Sequence, residues 1–266
     1  MKILAIGDPH GDLSKIKKIP KKNADLILLT GDLGKADLAR KIFFENLKRK
    51  QQGLPQMEET KKQTKAVHME IHISTISILR YLSKFAKVYT IQGNVGIPTK
   101  TQVKEDYKKH KIKMPFTREM VNKMRNVKLI KNRSKVFGNL KIGFLEMFTD
   151  VSWVRGFKPM GYRKKMKKAK KETEKAKRIL KRFGNVDILV SHQPPYGYLD
   201  KVSGKYGAPK NWWGKHAGSK ILLKAIKKYQ PKYVFCGHIH EGEGHAKIGK
   251  TDVYNLGVAG HVIINL

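Results

Sequence analysis

Five short apolar runs, each ending in a polar tip, constrain the fold of this chain more than any other feature. Residues 3–6 precede Gly7-Asp8, residues 26–29 precede Thr30-Gly31-Asp32, and residues 88–91 precede Gly93-Asn94. Residues 186–190 and 233–235 follow, ahead of Ser191-His192 and Gly237-His238. Continuous apolar runs this short read as strands buried on both faces, the central strands of a sheet sandwiched between other layers. Helical spacing recurs between them, over residues 38–50 and over residues 67–85, where Val67, Ile71, Ile78, Leu82 and Phe85 form a stripe. Strands alternating with helices predict an α/β fold, and such sheets bind ligands beyond the carboxyl ends of their strands. Each of the five tips carries a side chain able to bind a metal.

Later β-like segments at residues 135–137, 140–145, 253–256 and 261–264 predict a second sheet packed on the first. Residues 155–182 differ in kind, carrying many Lys and Arg and only Glu172 and Glu174 as acids. Met166, Ala169, Thr173, Ala176, Leu180 and Phe183 are spaced three and four apart, so this stretch reads as an amphipathic helix with a cationic face. It is expected as a basic helical insertion in a single domain over residues 1–266. Residues 99–125 are Lys-rich and poorly patterned, and read as a loop-dominated insertion.

With 57 Lys and Arg against 21 Asp and Glu, the formal charge is +36, far more than solubility requires. Such a field attracts polyanions, with nucleic acid, ribosomes or anionic membranes as natural partners, against the bland reading that a Lys-rich proteome produces Lys-rich surfaces; a nucleic-acid contact would run through the basic helix. The single cysteine, Cys236, leaves no intramolecular disulfide and lies inside an apolar run, as a buried structural thiol would. Met1 leads directly into a strand-like segment with no signal-peptide pattern, and no apolar stretch approaches the roughly 20 residues of a membrane helix. The expectation is a soluble cytoplasmic protein with no membrane contact.

Hard divalent ions bridged by phosphate need carboxylate oxygen, imidazole nitrogen and amide oxygen on rigid elements around one cleft. Asp8-Pro9-His10 places two such ligands one residue apart, so both reach one ion. Asp32 has two oxygens and can bridge a pair of ions. Asn94, His192, His238 and His240 complete two shells with room for water. A Gly-Asp pair alone marks a turn, and a lone His is usually structural. The weight lies in the joint order along successive strand ends.

In that order the chain resembles the calcineurin-like metallophosphoesterases, whose signature is Asp-x-His, Gly-Asp, Gly-Asn-His, a lone His and Gly-His-x-His. The residues around His192, the segment His216-Ala217-Gly218-Ser219, and Cys236-Gly237-His238-Ile239-His240-Glu241 are most similar to the Icc-related branch. The resemblance implies a four-layer α-β-β-α sandwich and two divalent metal ions, commonly Mn, Fe, Zn or Ni. It implies that Asp8, His10 and His240 hold one ion, that Asn94, His192 and His238 hold the other, and that Asp32 bridges. The implied reaction is hydrolysis of a phosphoester, a phosphodiester before a phosphomonoester, by a metal-bridging hydroxide. Asp32 and Asn94 are its expected catalytic residues.

One position departs from the pattern. Val95 stands where many members carry a His that assists phosphoryl transfer, and valine cannot move a proton. His216 is the candidate substitute acid, with a plain packing role as the alternative. The competing reading is a non-catalytic nucleic-acid-binding scaffold that keeps the fold, which a complete ligand set opposes. His68, Glu70 and His72 lie on one helix in the wrong order for a zincin site and read as a solvated face. Trp212 and Trp213, with Tyr196, Tyr198 and Tyr206, form an aromatic-rich loop suited either to stacking on a base or to covering the sandwich edge. His245 and His261 have no evident partner.

Overall fold

A computed structural model describes residues 1–266, apart from the side chain of Gln51. Its first sheet has the order β11-β1-β2-β3-β4. The strands are β1 (Lys2–Ile6), β2 (Leu26–Leu29), β3 (Lys87–Thr90), β4 (Val127–Leu129) and β11 (His261–Asn265). β1 to β4 run parallel, and β11 closes one edge antiparallel to β1, pairing Ile3 with Ile264. The second sheet has the order β5-β6-β7-β8-β10-β9. It comprises β5 (Arg133–Phe137), β6 (Leu140–Leu145), β7 (Ile188–Ser191), β8 (Tyr233–Cys236), β9 (Gly244–Ile248) and β10 (Thr251–Asn255). β6, β7, β8 and β10 run parallel between antiparallel edges.

Alternation along the strands splits their side chains between two cores. Ile3, Ala5, Leu26 and Leu28 meet Ile142, Phe144, Ile188, Val190 and Phe235 between the sheets. Leu4, Ile6, Ile27 and Leu29 face the other way, onto α1 (Leu13–Lys18), α3 (Lys61–Leu82) and α5 (Thr117–Lys123). Leu189, Val234 and Val253 pack on α7 (Tyr162–Phe183) and α8 (Lys220–Tyr229). The result is the four-layer α-β-β-α sandwich. Burying a side chain such as Phe144 or Phe235 stabilises the fold by about 1.5–3 kcal/mol each.

The five apolar runs do not share one sheet. β7 and β8 belong to the second sheet, and the 261–265 segment, expected there, edges the first. An apolar run covered on both faces looks the same in either sheet, so the sequence could not assign them. The 155–182 stretch is also not one helix. α6 (Val151–Phe157) ends at Lys158 in a left-handed conformation, φ 43°, and α7 starts after Gly161, φ 74°, with Pro159 between them. The two form the connection from β6 to the parallel strand β7.

Residues 99–125 are largely helical. α4 (Lys100–His110) starts in a capping box, Thr99 and Gln102 bonding each other's backbone, and α5 follows. Only Val103 of α4 is buried, so its apolar stripe was too thin to read. This region covers the face of α3 expected to be solvated. His68 Nε2 meets Asp106 at 2.9 Å and His72 Nδ1 meets the Thr117 hydroxyl at 2.8 Å. α2 (Asp37–Gln51) lies at the surface with Phe43 exposed. Among the described residues, no helix is long and apolar enough to cross a membrane. Cys236 is buried, and burial raises its thiol pKa well above the ordinary value.

Candidate metal centre

Each of the first five tips turns toward the cleft beyond the strand ends. The loop after β1 is zipped to the loop after β2: His10 N–H donates to the Asp32 carbonyl and Gly11 N–H to that of Leu33, both at 2.9 Å. Gly237 N–H donates to the His192 carbonyl at 2.9 Å, which ties the β8 tip to the β7 tip. Asp8 is held by the far end of the chain, its N–H on Gly257 O at 3.0 Å and its carbonyl taking Ala259 N–H at 3.1 Å. His10, Asp32 and His238 adopt positive φ angles of 43°, 36° and 66°, rare for residues with side chains.

Side chains of all seven expected residues converge. Asp8 is fully buried and accepts the Thr30 hydroxyl on Oδ1 and the His238 N–H on Oδ2, both at 2.6 Å. Its Oδ2 lies 3.5 Å from His240 Nε2. The Nε2 atoms of His10 and His240 face each other at 3.2 Å. Asp8, His10 and His240 form one group able to hold an ion, and Asp8, Asp32 and His192 form another. Asp32 Oδ1 accepts the Val95 N–H at 2.7 Å, while Oδ2 stands 3.8 Å from His10 Nε2 and 3.6 Å from His192 Nε2. Asn94 Oδ1 lies 2.8 Å from His192 Nε2 and 2.7 Å from His238 Nδ1. His192 Nδ1 donates to the Thr30 carbonyl at 3.0 Å, which points Nε2 into the cleft as the atom an ion would take. Burial lowers the pKa of this imidazole, but the Asp32 and Asp8 carboxylates outweigh it and leave the pKa raised.

The donor set and the space around it fit divalent ions. A Cβ on Gly93 would meet Asp32 Oδ1 at 2.1 Å and one on Gly237 would meet both Asp8 oxygens at 2.5 Å, so these glycines let the carboxylates in. Burial holds His238 down to about 3, helped by the charge of His192, and burial also lowers His10. Both are neutral imidazoles near neutral pH, the form that binds metal. Burial raises Asp32, and the neighbouring charge of Asp8 adds to that against the pull of His192. Burial alone would raise Asp8 too, but His192 and hydrogen bonds from His240, Thr30 and His238 leave it well below the usual carboxylate range.

His216 stands apart from this convergence. Its Nδ1 pairs with Asp200 Oδ1 at 2.6 Å, its ring packs near Tyr196, and it lines a groove whose walls include none of the seven residues. Ala217 beside it shares an apolar cluster with Ile239, the residue between His238 and His240. Of the aromatic loop, Trp212 packs on Trp153 and Phe157, whereas the Tyr206 ring lies edge-on to His240 at 5.1 Å. The Tyr206 carbonyl accepts from Arg40. His245 has a partner after all, Asp252 at 2.9 Å across the β9–β10 pair.

Sequence reasoning passed over three contributors. The Thr30 hydroxyl and the Val95 N–H aim the two carboxylates, and Asp200 orients His216. Thr30 and Val95 flank the ligands in the sequence, but nothing in their residue type announces a bond to a carboxylate.

Known proteins share the fold and parts of the sequence. A solved crystal structure superposes with a TM-score of 0.59 over 97% of this chain and 90% of its own, at 16% identity, which shows the shared fold. A UPF0046 protein of Caenorhabditis elegans is 34% identical over 71 residues, 27% of this chain and 21% of that protein. The human Metallophosphoesterase domain-containing protein 1 is 38% identical over 74 residues, 27% of this chain and 20% of its own length. The matched stretch therefore spans about a fifth of these relatives. The profile of the calcineurin-like phosphoesterases matches residues 1–242, nearly the whole chain and the span within which the seven converging side chains lie, and the protein belongs to that family.

Proposed function

We propose that this protein hydrolyses phosphodiesters at a centre of two divalent ions. Asp8, His10 and His240 would hold one ion, Asn94, His192 and His238 the other, and Asp32 would be shared. The observation that carries this reading is the placement of Asp32. One carboxylate oxygen is fixed by a backbone N–H, and the other stands almost midway between imidazoles of the two sets. Mn, Fe, Zn and Ni all accept such a nitrogen and oxygen set. The chemistry an ion pair supplies when bound is Lewis acidity toward phosphoryl oxygens and toward water.

The chain's own residues orient and exclude. Thr30 and the His238 N–H fix Asp8, Thr30 O orients the His192 ring, and Tyr206 covers one side of His240. Val95 contributes its N–H and no proton to a leaving group. His216, held by Asp200 in the neighbouring groove and apart from the seven side chains, would serve as the proton donor in its place only if a leaving group extends to it. Val95 is also the feature that favours the competing reading of a non-catalytic scaffold.

The deciding experiment is metal analysis of protein purified without chelator, paired with turnover of activated aryl diesters by wild type and Asp32→Asn. Wild type should carry two ions per chain. Asp32→Asn should lose metal and turn over more than about 100-fold slower with unchanged circular dichroism, because even residues that merely support a ligand cost 10–100-fold. Wild-type turnover in the variant, or no turnover by fully metallated wild type, would remove the proposal.

A further inference from the structure

A groove of about 870 Å³ runs between α6, α7 and α8 on the outer side of the second sheet. Its walls carry Arg155, Lys170, Lys177, Lys215, Lys220 and Lys224, cations from three helices and one loop. Two carboxylates lie among them, and both are engaged within the protein. Buried Asp150 accepts the Ser152 N–H and hydroxyl at 2.7 Å each and the Ser219 hydroxyl at 2.6 Å. Glu174 takes Lys177 at 2.5 Å, an exposed pair that a stronger anion can open at little cost. Among the described residues, Arg155, Lys170 and Lys224 have no carboxylate partner.

We propose that this groove binds the backbone of a single-stranded nucleic acid. The inference rests on the phosphodiester chemistry proposed above and names the polymer that carries it. Lys170 and Lys177 lie seven residues apart, on one face of α7 and about 10 Å along it. Lys220 and Lys224 repeat the arrangement on α8 at about 6 Å. The cations thus form two rows along a channel, which suits a linear chain of phosphates. Flexible exposed lysines give charge without fixed geometry, so the contact is independent of base sequence. Tyr196 and His216, with rings 5.3 Å apart in the wall, add aromatic surface for a base. A groove of about 870 Å³ is the size of a cleft that a drug-sized molecule fills, enough for a short run of one strand and too small to take in a duplex. The groove lysines differ from Lys164, Lys165, Lys167 and Lys168, which stand on α7 outside it.

Fluorescence anisotropy of a labelled oligothymidylate, with chelator present to prevent cleavage, tests the groove. Wild type should bind at low salt, and bind duplex DNA of the same length more weakly. Joint Lys170→Gln, Lys177→Gln and Lys224→Gln substitution should weaken single-strand binding at least about tenfold and flatten the slope of log affinity on log salt by about 2. Changing Lys164, Lys165, Lys167 and Lys168 to Gln should have a smaller effect than the three groove changes. Wild-type binding by the groove variant overturns the proposal, as do equal binding of duplex, a larger effect of the outer four, and no binding at all. Because no turnover is read, failure here is separate from failure of the metal-centre reading, which wild-type hydrolysis of a small aryl diester decides alone.

Discussion

His10, Asp32 and His238 hold left-handed backbone conformations that cost on the order of 1–3 kcal/mol each. Surrounding hydrogen bonds sustain them: His10 N–H on Asp32 O, and His238 N–H on Asp8. Side-chain convergence on one point is what this local cost sustains. Val95 gives the sharpest residue-level prediction. General acid assistance is worth typically 10²–10⁴-fold and matters most for basic leaving groups. Wild type should therefore cleave aryl diesters much faster than alkyl ones, with a steep dependence on leaving-group pKa that Val95→His makes shallower. His216→Ala should make it steeper still if His216 supplies the proton, and an unchanged slope in both variants would dismiss both assignments. Glu146 gives the second. Among the described residues its buried Oε1 has no hydrogen-bond partner, and burial raises its pKa above the ordinary 4.5 against the pull of Lys131 and Arg118. A carboxyl raised on folding loses stability as pH climbs from its unfolded to its native pKa. In the metal-free protein, Glu146→Gln should match wild type in urea below that range and exceed it near neutrality by on the order of 1 kcal/mol. Equal stability at neutral pH would mean that the buried oxygen is solvated.

At the scale of elements, what could be read in advance depended on whether a side chain's neighbours leave a mark in its own sequence. All five principal strands showed themselves, because burial on both faces requires an unbroken apolar run such as Leu26-Ile27-Leu28-Leu29. Their division between two sheets did not show, since Val190 and Ala5 meet across the inter-sheet core and either could have been a sheet neighbour of the other. The seven converging side chains were legible for the same reason the strands were: each follows a run whose end is easy to locate. α4 was hidden by its lysines, although Thr99 and Gln102 announce its start. α3 was located, but its covered face was not, because His68 and His72 are satisfied by Asp106 and Thr117, more than 30 residues further along the chain.

For the whole molecule the dominant quantity is the charge of +36. Like charges at this density repel, and the ion pairs present are mostly exposed and contribute little. The Debye length falls from about 30 Å at 0.01 M salt to about 8 Å at 0.15 M. Thermal unfolding should therefore rise in temperature with added KCl, by about 2–4 °C for each kcal/mol of repulsion removed. A midpoint that stays level or falls with salt in calorimetry would show that attractive pairs outweigh repulsion.

The strand pairing of the first sheet also sets an order of events during synthesis. Asp8 is made well before the backbone that grips it, which lies at 257–260, and β11 is paired along β1 from Lys2 to Ile6. At translation rates of roughly 5–20 residues per second, the first ligand waits on the order of tens of seconds for its support. Until then β1 is an open edge with Asp8 unclamped at its tip. The cleft is closed by a strand made roughly 250 residues after its first ligand, so a nascent chain has the parts of the centre long before it has the centre.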